Sequence, residues 1–122
     1  MGSVLTSQQR SQLRALMAAE RARLVAQSTA MRLTFDELVA AADLEPPDDE
    51  HDPDGTTAYE RAQVSSMRSA FDQGVAALDV ALTELDAETY GRCSACGAPI
   101  AFERLVAVLG TDLCVGCAAG RR

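Results

Sequence analysis

Two long segments of this 122-residue chain repeat an apolar residue every seven positions, and this repeat constrains the fold more than any other feature. The first segment runs from about Ser7 to Ala42 without Gly or Pro, and the second runs from about Thr57 to Tyr90. A seven-residue apolar repeat among good helix formers places one narrow apolar stripe along a helix. Each segment is therefore predicted to form one long helix with an apolar seam.

The two seams match each other in reverse order. In an antiparallel hairpin, the numbers of facing residues have a constant sum. Four seam pairs satisfy this rule, namely Leu38 with Val64, Met31 with Phe71, Leu24 with Leu78 and Met17 with Leu85. The positions between these layers are weaker: Glu20, Gln27 and Thr34 follow Leu13 on the first helix, and Gly74 and Ala81 follow Met67 on the second. We predict a thin antiparallel coiled-coil helical hairpin over residues 1–89.

Capping-box patterns indicate where the helices begin. Thr6 precedes Gln9 by three positions and Thr57 precedes Glu60 by three, so that a side chain at each site can satisfy a free backbone N–H. A third such pattern begins at Thr34 and would allow the first helix to break there. The unbroken seven-residue repeat favours a continuous helix.

The segment at about 43–57 holds three prolines, a glycine and clustered acids, and it is predicted to be the acidic tip loop of the hairpin. Asp52 and Asp54 are the acids singled out as candidate contacts with a partner. A solvated loop that only keeps the chain soluble is one alternative. A calcium loop is another, but Arg61 stands where such a loop needs a bidentate Glu.

Composition excludes several classes of function. The net charge of −7 and the sequence pI near 4.5 disfavour a partner held by its phosphate backbone. Only 4% of the residues are aromatic and there is one His, so neither a large enzyme pocket nor a pair of nucleophile and base is expected. No apolar run approaches about 18 residues, which predicts a soluble, cytoplasmic protein without a membrane partner.

All four cysteines follow the helices, as the pairs Cys93–Cys96 and Cys114–Cys117 with seventeen residues between them. Two residues between the cysteines of a pair let both thiolates face one ion, and the intervening segment can fold back to complete a tetrahedron. Four thiolates leave no open position, so the spacing predicts one structural zinc ion in a small module over residues 90–122. Two disulfides or a redox pair are the alternatives, but disulfides are rare inside cells and neither pair follows a strand.

Neighbouring residues are expected to support this site. Gly97 and Gly116 are predicted to make the tight turns that bring backbone N–H groups to the sulfurs. Arg104 is predicted to pair with a nearby acid. The apolar side chains predicted to pack beneath the metal are Ile100, Phe102 and Leu105.

This region resembles the C4 zinc finger of the DksA/TraR family. The resemblance rests on Tyr90-Gly91 before the first cysteine, the cysteine spacing itself, Gly97 after the second cysteine, Ile100, and Arg104-Leu105. Members of the family precede the finger with a coiled-coil hairpin that carries an acidic tip. About forty residues separate the predicted tip from the first cysteine here as well.

The resemblance implies a bacterial transcription regulator that binds RNA polymerase directly and no specific DNA sequence. In such proteins the coiled coil enters the secondary channel, and acids at the tip modulate the open complex, in DksA together with the alarmone ppGpp. The family's tip pattern is Asp-x-x-Asp-x-Ala. When Asp52 is aligned with its first position, Gly55 and Thr57 replace the second Asp and the Ala, and Asp54 stands one position before that second Asp. The alternative function is a zinc-stabilised coiled-coil adaptor that binds another protein or itself.

Overall fold

A computed structural model describes residues 4–44 and 53–120, and it describes side chains for residues 4–41 and 58–120. Four helices follow one another: α1 (Ser7–Leu44), α2 (Pro53–Asp86), α3 (Phe102–Ala107) and α4 (Val115–Gly120). Within the residues described there is no strand, only an isolated bridge between Arg92 and Pro99. The predicted fold class, mainly α with a long helical hairpin followed by a small cysteine-rich module, is confirmed.

The chain forms two compact units. One contains Met1–Ala22 together with Gly74–Arg122, and the other contains Arg23–Gln73. The first unit therefore combines the start of α1, the end of α2 and the cysteine-rich region, whereas the second consists of the rest of the two long helices. The division between the units falls within both long helices. The predicted domains, residues 1–89 and 90–122, stay a prediction.

The start of α1 is a reciprocal capping box, as predicted. The backbone N–H of Thr6 donates to Oε1 of Gln9 at 3.0 Å, and the backbone N–H of Gln9 donates to Oγ1 of Thr6 at 3.0 Å. Farther along, the hydroxyl of Thr34 donates to the carbonyl oxygen of Ala30 at 3.0 Å, so this residue bonds within the helix instead of starting a new one. The helix is continuous through this point, as the repeat predicted.

Both helices extend into the segment predicted as the tip loop. α1 continues to Leu44 and α2 already begins at Pro53, so Thr57 lies inside α2 and the predicted capping box at Thr57 is wrong. Proline is tolerated in the first turn of a helix because that turn has no partner for its N–H, and its fixed φ suits the helix. Asp52 and the rest of residues 45–52 lie outside the described residues.

The first unit contains the main apolar core of the hairpin. Leu13, Met17, Leu78 and Leu85 are at most 2% exposed. Two ion pairs flank this core on its exposed side, one between Arg14 and Asp86 and one between Arg21 and Asp79, with Nε of Arg21 at 2.6 Å from Oδ1 of Asp79. From the first pair to the second, the residue number rises by seven on α1 and falls by seven on α2. This is the spacing of an antiparallel coiled coil.

The second unit is thinner, and none of the side chains described in it is buried. The seam residues Met31 and Phe71 are only half-buried. The hydroxyl of Ser28 donates to the carboxylate of Asp72, and these two residues lie seven positions from the Arg21–Asp79 pair on each helix. Met67 was predicted to lie in the seam, but it is 49% exposed and Arg68 is half-buried in its place. The aliphatic part of an arginine can cover apolar surface while its head pairs with an acid, here Asp72 at 3.8 Å.

Leu13 and Leu16 offer a matched test of the core, because they lie one turn apart on α1 and differ in burial. Leu13 is 0% exposed and Leu16 is 37% exposed. Leu13→Ala is expected to lower the free energy of unfolding by about 3 kcal/mol, and Leu16→Ala by less than about 1 kcal/mol. Urea unfolding followed by circular dichroism measures both. Equal effects would contradict the placement of the seam.

Candidate metal centre

The first cysteine pair lies on a tight hairpin turn. The backbone N–H of Cys93 donates to the carbonyl oxygen of Ala98 at 2.8 Å, and the N–H of Ile100 donates to that of Gly91 at 2.7 Å. At the turn itself, the N–H of Gly97 donates to the carbonyl oxygen of Cys93 at 2.8 Å. Gly97 has a φ of 77°, a backbone conformation that favours glycine, so its predicted role in a tight turn is confirmed.

The second cysteine pair lies at the start of α4. The backbone N–H of Cys117 approaches Sγ of Cys114 at 3.5 Å, and the N–H of Ala118 donates to the carbonyl oxygen of Cys114 at 2.9 Å. Gly116 lies within α4, has no positive φ, and leaves open space where a Cβ would stand. The tight turn predicted at Gly116 is therefore wrong, because the first turn of a helix already presents its free N–H groups to the sulfur.

The two turns bring all four sulfurs together. The Sγ atoms of Cys93, Cys96, Cys114 and Cys117 lie within 4.8 Å of one another, and those of Cys96 and Cys114 are 3.8 Å apart. Zinc–sulfur bonds of about 2.3 Å in a tetrahedron place the sulfurs about 3.8 Å apart. The four cysteines are thus positioned to hold one zinc ion, and four sulfurs fill its coordination sphere, as in a structural site.

The thiols of this cluster differ in acidity. Hydrogen bonds to the sulfur, first from the backbone of Cys114, lower the pKa of Cys93 to about 6. The pKa of Cys114 is also lowered, mainly by the backbone N–H of Cys117. The thiol of Cys117 shares its proton with the sulfur of Cys114, which raises the pKa of Cys117 to about 12. Metal binding requires thiolates, so a zinc ion displaces the protons that remain on such a cluster.

Asp112 and Arg104 connect the two turns of the finger. The backbone N–H of Ser94 donates to the carbonyl oxygen of Asp112 at 2.8 Å, and the Ser94 hydroxyl lies 3.1 Å from the Asp112 carboxylate. Nε of Arg104 donates to the carbonyl oxygen of Leu113 at 2.8 Å. Arg104 therefore binds a backbone carbonyl next to Cys114, and the prediction that it pairs with an acid is wrong. An arginine can donate to an unpaired backbone carbonyl of a loop instead of to an acid, and the sequence does not show which loop carbonyls are unpaired.

Apolar residues of α3 and its approach pack beside the cysteines. Leu105 is fully buried and Ile100 is buried, while Phe102 is half-buried. Two of the three residues predicted to pack beneath the metal are thus buried.

The chain before α1 also packs on the finger, a contact that was not predicted from the sequence. Gly91 has a φ of 113°, and a Cβ there would lie 2.6 Å from a methyl carbon of Val4. Leu5 is buried. Arg10 fixes the contact, because its guanidinium lies 2.8 Å from the carbonyl oxygen of Leu5 and 2.8 Å from the carboxylate of Glu88. Glycine at position 91 is required both by its φ and by this close approach.

Tyr90 joins the end of the hairpin to the loop before Cys114. Its ring is buried, and its hydroxyl donates to the carbonyl oxygen of Thr111 at 2.8 Å. Burial first, and then the negative charge of Glu84, raise the pKa of Tyr90 to about 12.

This pKa can be measured directly. In a Tyr59→Phe variant Tyr90 is the only phenol, and its absorbance at the phenolate wavelength is expected to titrate with a midpoint near 12, against an ordinary value near 10. Because the folded-state pKa is raised, this group stabilises the fold below pH 10, and the contribution is lost as the pH rises from about 10 towards 12. A midpoint at the ordinary value would place Tyr90 in solvent.

Residues 88–122 match the prokaryotic DksA/TraR C4-type zinc finger. The resemblance found in the sequence is thereby confirmed. A solved structure with a similar fold is that of transcription factor DksA2 from Pseudomonas aeruginosa, with a TM-score of 0.78 and 21% identity over 94% of this chain and 84% of that one. No curated protein matches the chain.

The structure describes only part of the candidate tip. Asp54 belongs to the first turn of α2, in the second unit, but its side chain lies outside the described residues, as does all of Asp52. The role of both acids stays a prediction. None of the helices in the described part of the chain has the length and apolar character needed to cross a membrane.

Proposed function

We propose that this protein is a cytoplasmic bacterial transcription regulator that binds RNA polymerase directly and inserts the tip of its coiled coil into the secondary channel. One observation carries the proposal. A DksA/TraR zinc finger follows a long helical hairpin, and the whole arrangement matches the fold of the transcription factor DksA2 over 94% of this chain. The zinc ion has a structural role, and the regulator is not an enzyme.

The charge of the chain supports a protein target instead of DNA. A net charge of −7 repels the phosphate backbone of DNA, whereas it suits a basic lining of the channel that the coiled coil would enter. Three basic residues of the first unit are also occupied, since Arg10, Arg14 and Arg21 each pair with an acid of that unit. Sequence-specific DNA binding is therefore not part of the proposal.

Asp52 and Asp54 are the residues that we propose contact the polymerase. Asp54 lies in the first turn of α2, and Asp52 directly precedes Pro53, the first residue of α2, in the sequence. An acid at the start of a helix is also compatible with the helix dipole, so two acids can be held there at little cost to stability.

Binding to purified polymerase tests the proposal. The zinc-loaded chain, labelled with a fluorophore at its N-terminus, is titrated with core RNA polymerase from its host, and fluorescence anisotropy reports the complex. We expect saturable 1:1 binding and a change in transcription from at least some promoters. No binding to polymerase, together with capture of a different protein from the host, would favour the adaptor.

A further inference from the structure

The finger and α2 enclose a groove that the proposed function does not use. It is a cavity of about 260 Å³ within the first unit, open to solvent on one side. Apolar residues of α2 and the loop at Gly110 form its floor, and acids stand at its edges. The lining residues are Ala77, Val80, Ala81, Glu84, Tyr90, Gly110 and Asp112.

The shape of the groove depends on a close approach of the loop to α2. Gly110 has a φ of 87°, and a Cβ there would lie 3.3 Å from a methyl carbon of Leu78 and 3.8 Å from the backbone of Ala77. Because Leu78 is buried and Tyr90 bonds the adjacent Thr111, the floor is fixed by the core. The groove is therefore a formed feature of the fold and not a gap between mobile loops.

The charges at the groove are uncompensated. Among the described residues, no cationic side chain pairs with the carboxylate of Glu84 or of Asp112, and the latter accepts only a hydroxyl, from Ser94. By contrast, Asp79 and Asp86 on the same helix each pair with an arginine. The negative charges of Glu84 and Asp112 both raise the pKa of Tyr90, so the potential of both carboxylates reaches the phenol that lines the groove.

Next to these acids lies exposed apolar surface. Val80 is 59% exposed and lines both this groove and a shallower depression that continues along α2 past Asp79 and Thr83. A ligand that fits must combine a positive head with an apolar stem. An arginine side chain has both, and its planar guanidinium can bond two carboxylates at once, which a lysine ammonium does less well.

We propose that this groove binds an arginine side chain presented by RNA polymerase, with the guanidinium between Glu84 and Asp112 and the aliphatic stem on Val80. The inference rests on the proposed function, because polymerase is the partner. It adds a second contact, in the first unit, to the contact proposed at the tip. Such a contact would hold the chain on the polymerase independently of what the tip does.

Variants of the groove test this inference. In the anisotropy titration with core polymerase, Glu84→Gln/Asp112→Asn is expected to bind about tenfold more weakly than the natural chain, because two charge-assisted bonds are lost. Glu103→Gln is the control, since Glu103 is an exposed acid of α3 outside the groove and its loss should leave the affinity unchanged. Val80→Arg, which places a cation of this chain beside the two acids, should weaken binding as well. Zinc content and circular dichroism establish that each variant is folded.

A photo-crosslinker in place of Val80 identifies the occupant. We expect a crosslink to a polymerase peptide that contains arginine, and a yield that falls in Glu84→Gln/Asp112→Asn. Equal affinity of all the variants, a crosslink to a peptide without arginine, or a crosslink to a second copy of this chain would overturn the groove inference while leaving the proposed function intact. Failure of the natural chain to bind polymerase would overturn both.

Discussion

Removal of the metal is expected to unfold the finger while the long helices keep much of their structure. Elemental analysis of the purified protein should give one zinc per chain, held by Cys93, Cys96, Cys114 and Cys117. Cys93→Ser replaces the buried ligand, and it should lower the thermal midpoint by on the order of 10 °C because structural zinc supplies much of the folding free energy of so small a module. The far-UV signal should fall only in part, since α1 and α2 lie before the first cysteine.

Ala95→Ser is the matched control for this experiment. Ala95 is exposed and lies between Cys93 and Cys96, so the substitution adds a hydroxyl to the same turn without removing a ligand. It should keep one zinc and melt within a few degrees of the natural chain. A chain that binds no zinc, or a Cys93→Ser protein with full zinc content and an unchanged melt, would contradict the metal centre.

Loss of the two tip acids is expected to separate binding from regulation. Asp52→Asn/Asp54→Asn removes two charges next to the start of α2 and should change the free energy of unfolding by less than about 1 kcal/mol. Affinity for core polymerase should stay within about threefold, because the rest of the chain still binds. The effect on transcription in vitro should fall at least about tenfold, because the acids at the point of contact are gone.

Asp36→Asn/Glu37→Gln removes the same charge from exposed positions on α1, and it should regulate like the natural chain. Equal activity of the tip variant and this control would reduce the tip to a solvated loop. If neither they nor the natural chain affects transcription, the adaptor becomes the better explanation.

The features that the sequence predicted well are those set by local pattern. The heptad repeat of Met17 and Leu24 determines a helix face, and the Thr6–Gln9 capping box is satisfied within one turn. The cysteine spacing likewise restricts the four sulfurs to one small volume, whatever the rest of the chain does.

The features that were not predicted from the sequence depend on a choice between two possible local structures or on residues that are distant in the chain. Pro53 reads as a helix breaker in sequence, although it is tolerated in a first turn, so the start of α2 was placed too late. Met67 is more apolar than Arg68, yet Met67 is 49% exposed, whereas Arg68 is half-buried and pairs with Asp72. The packing of Val4 on Gly91 joins residues that are far apart in the sequence, and no local pattern marks such a contact.

The position of the tip on polymerase is the most direct test of the proposed function. A photo-crosslinker in place of Thr56, next to Asp54 and Gly55, is irradiated in the complex of the zinc-loaded chain with core polymerase, and mass spectrometry identifies the crosslinked peptide. The account predicts a crosslink to residues that line the secondary channel near the active site. A complex that forms but crosslinks only to the outer surface of polymerase would contradict it.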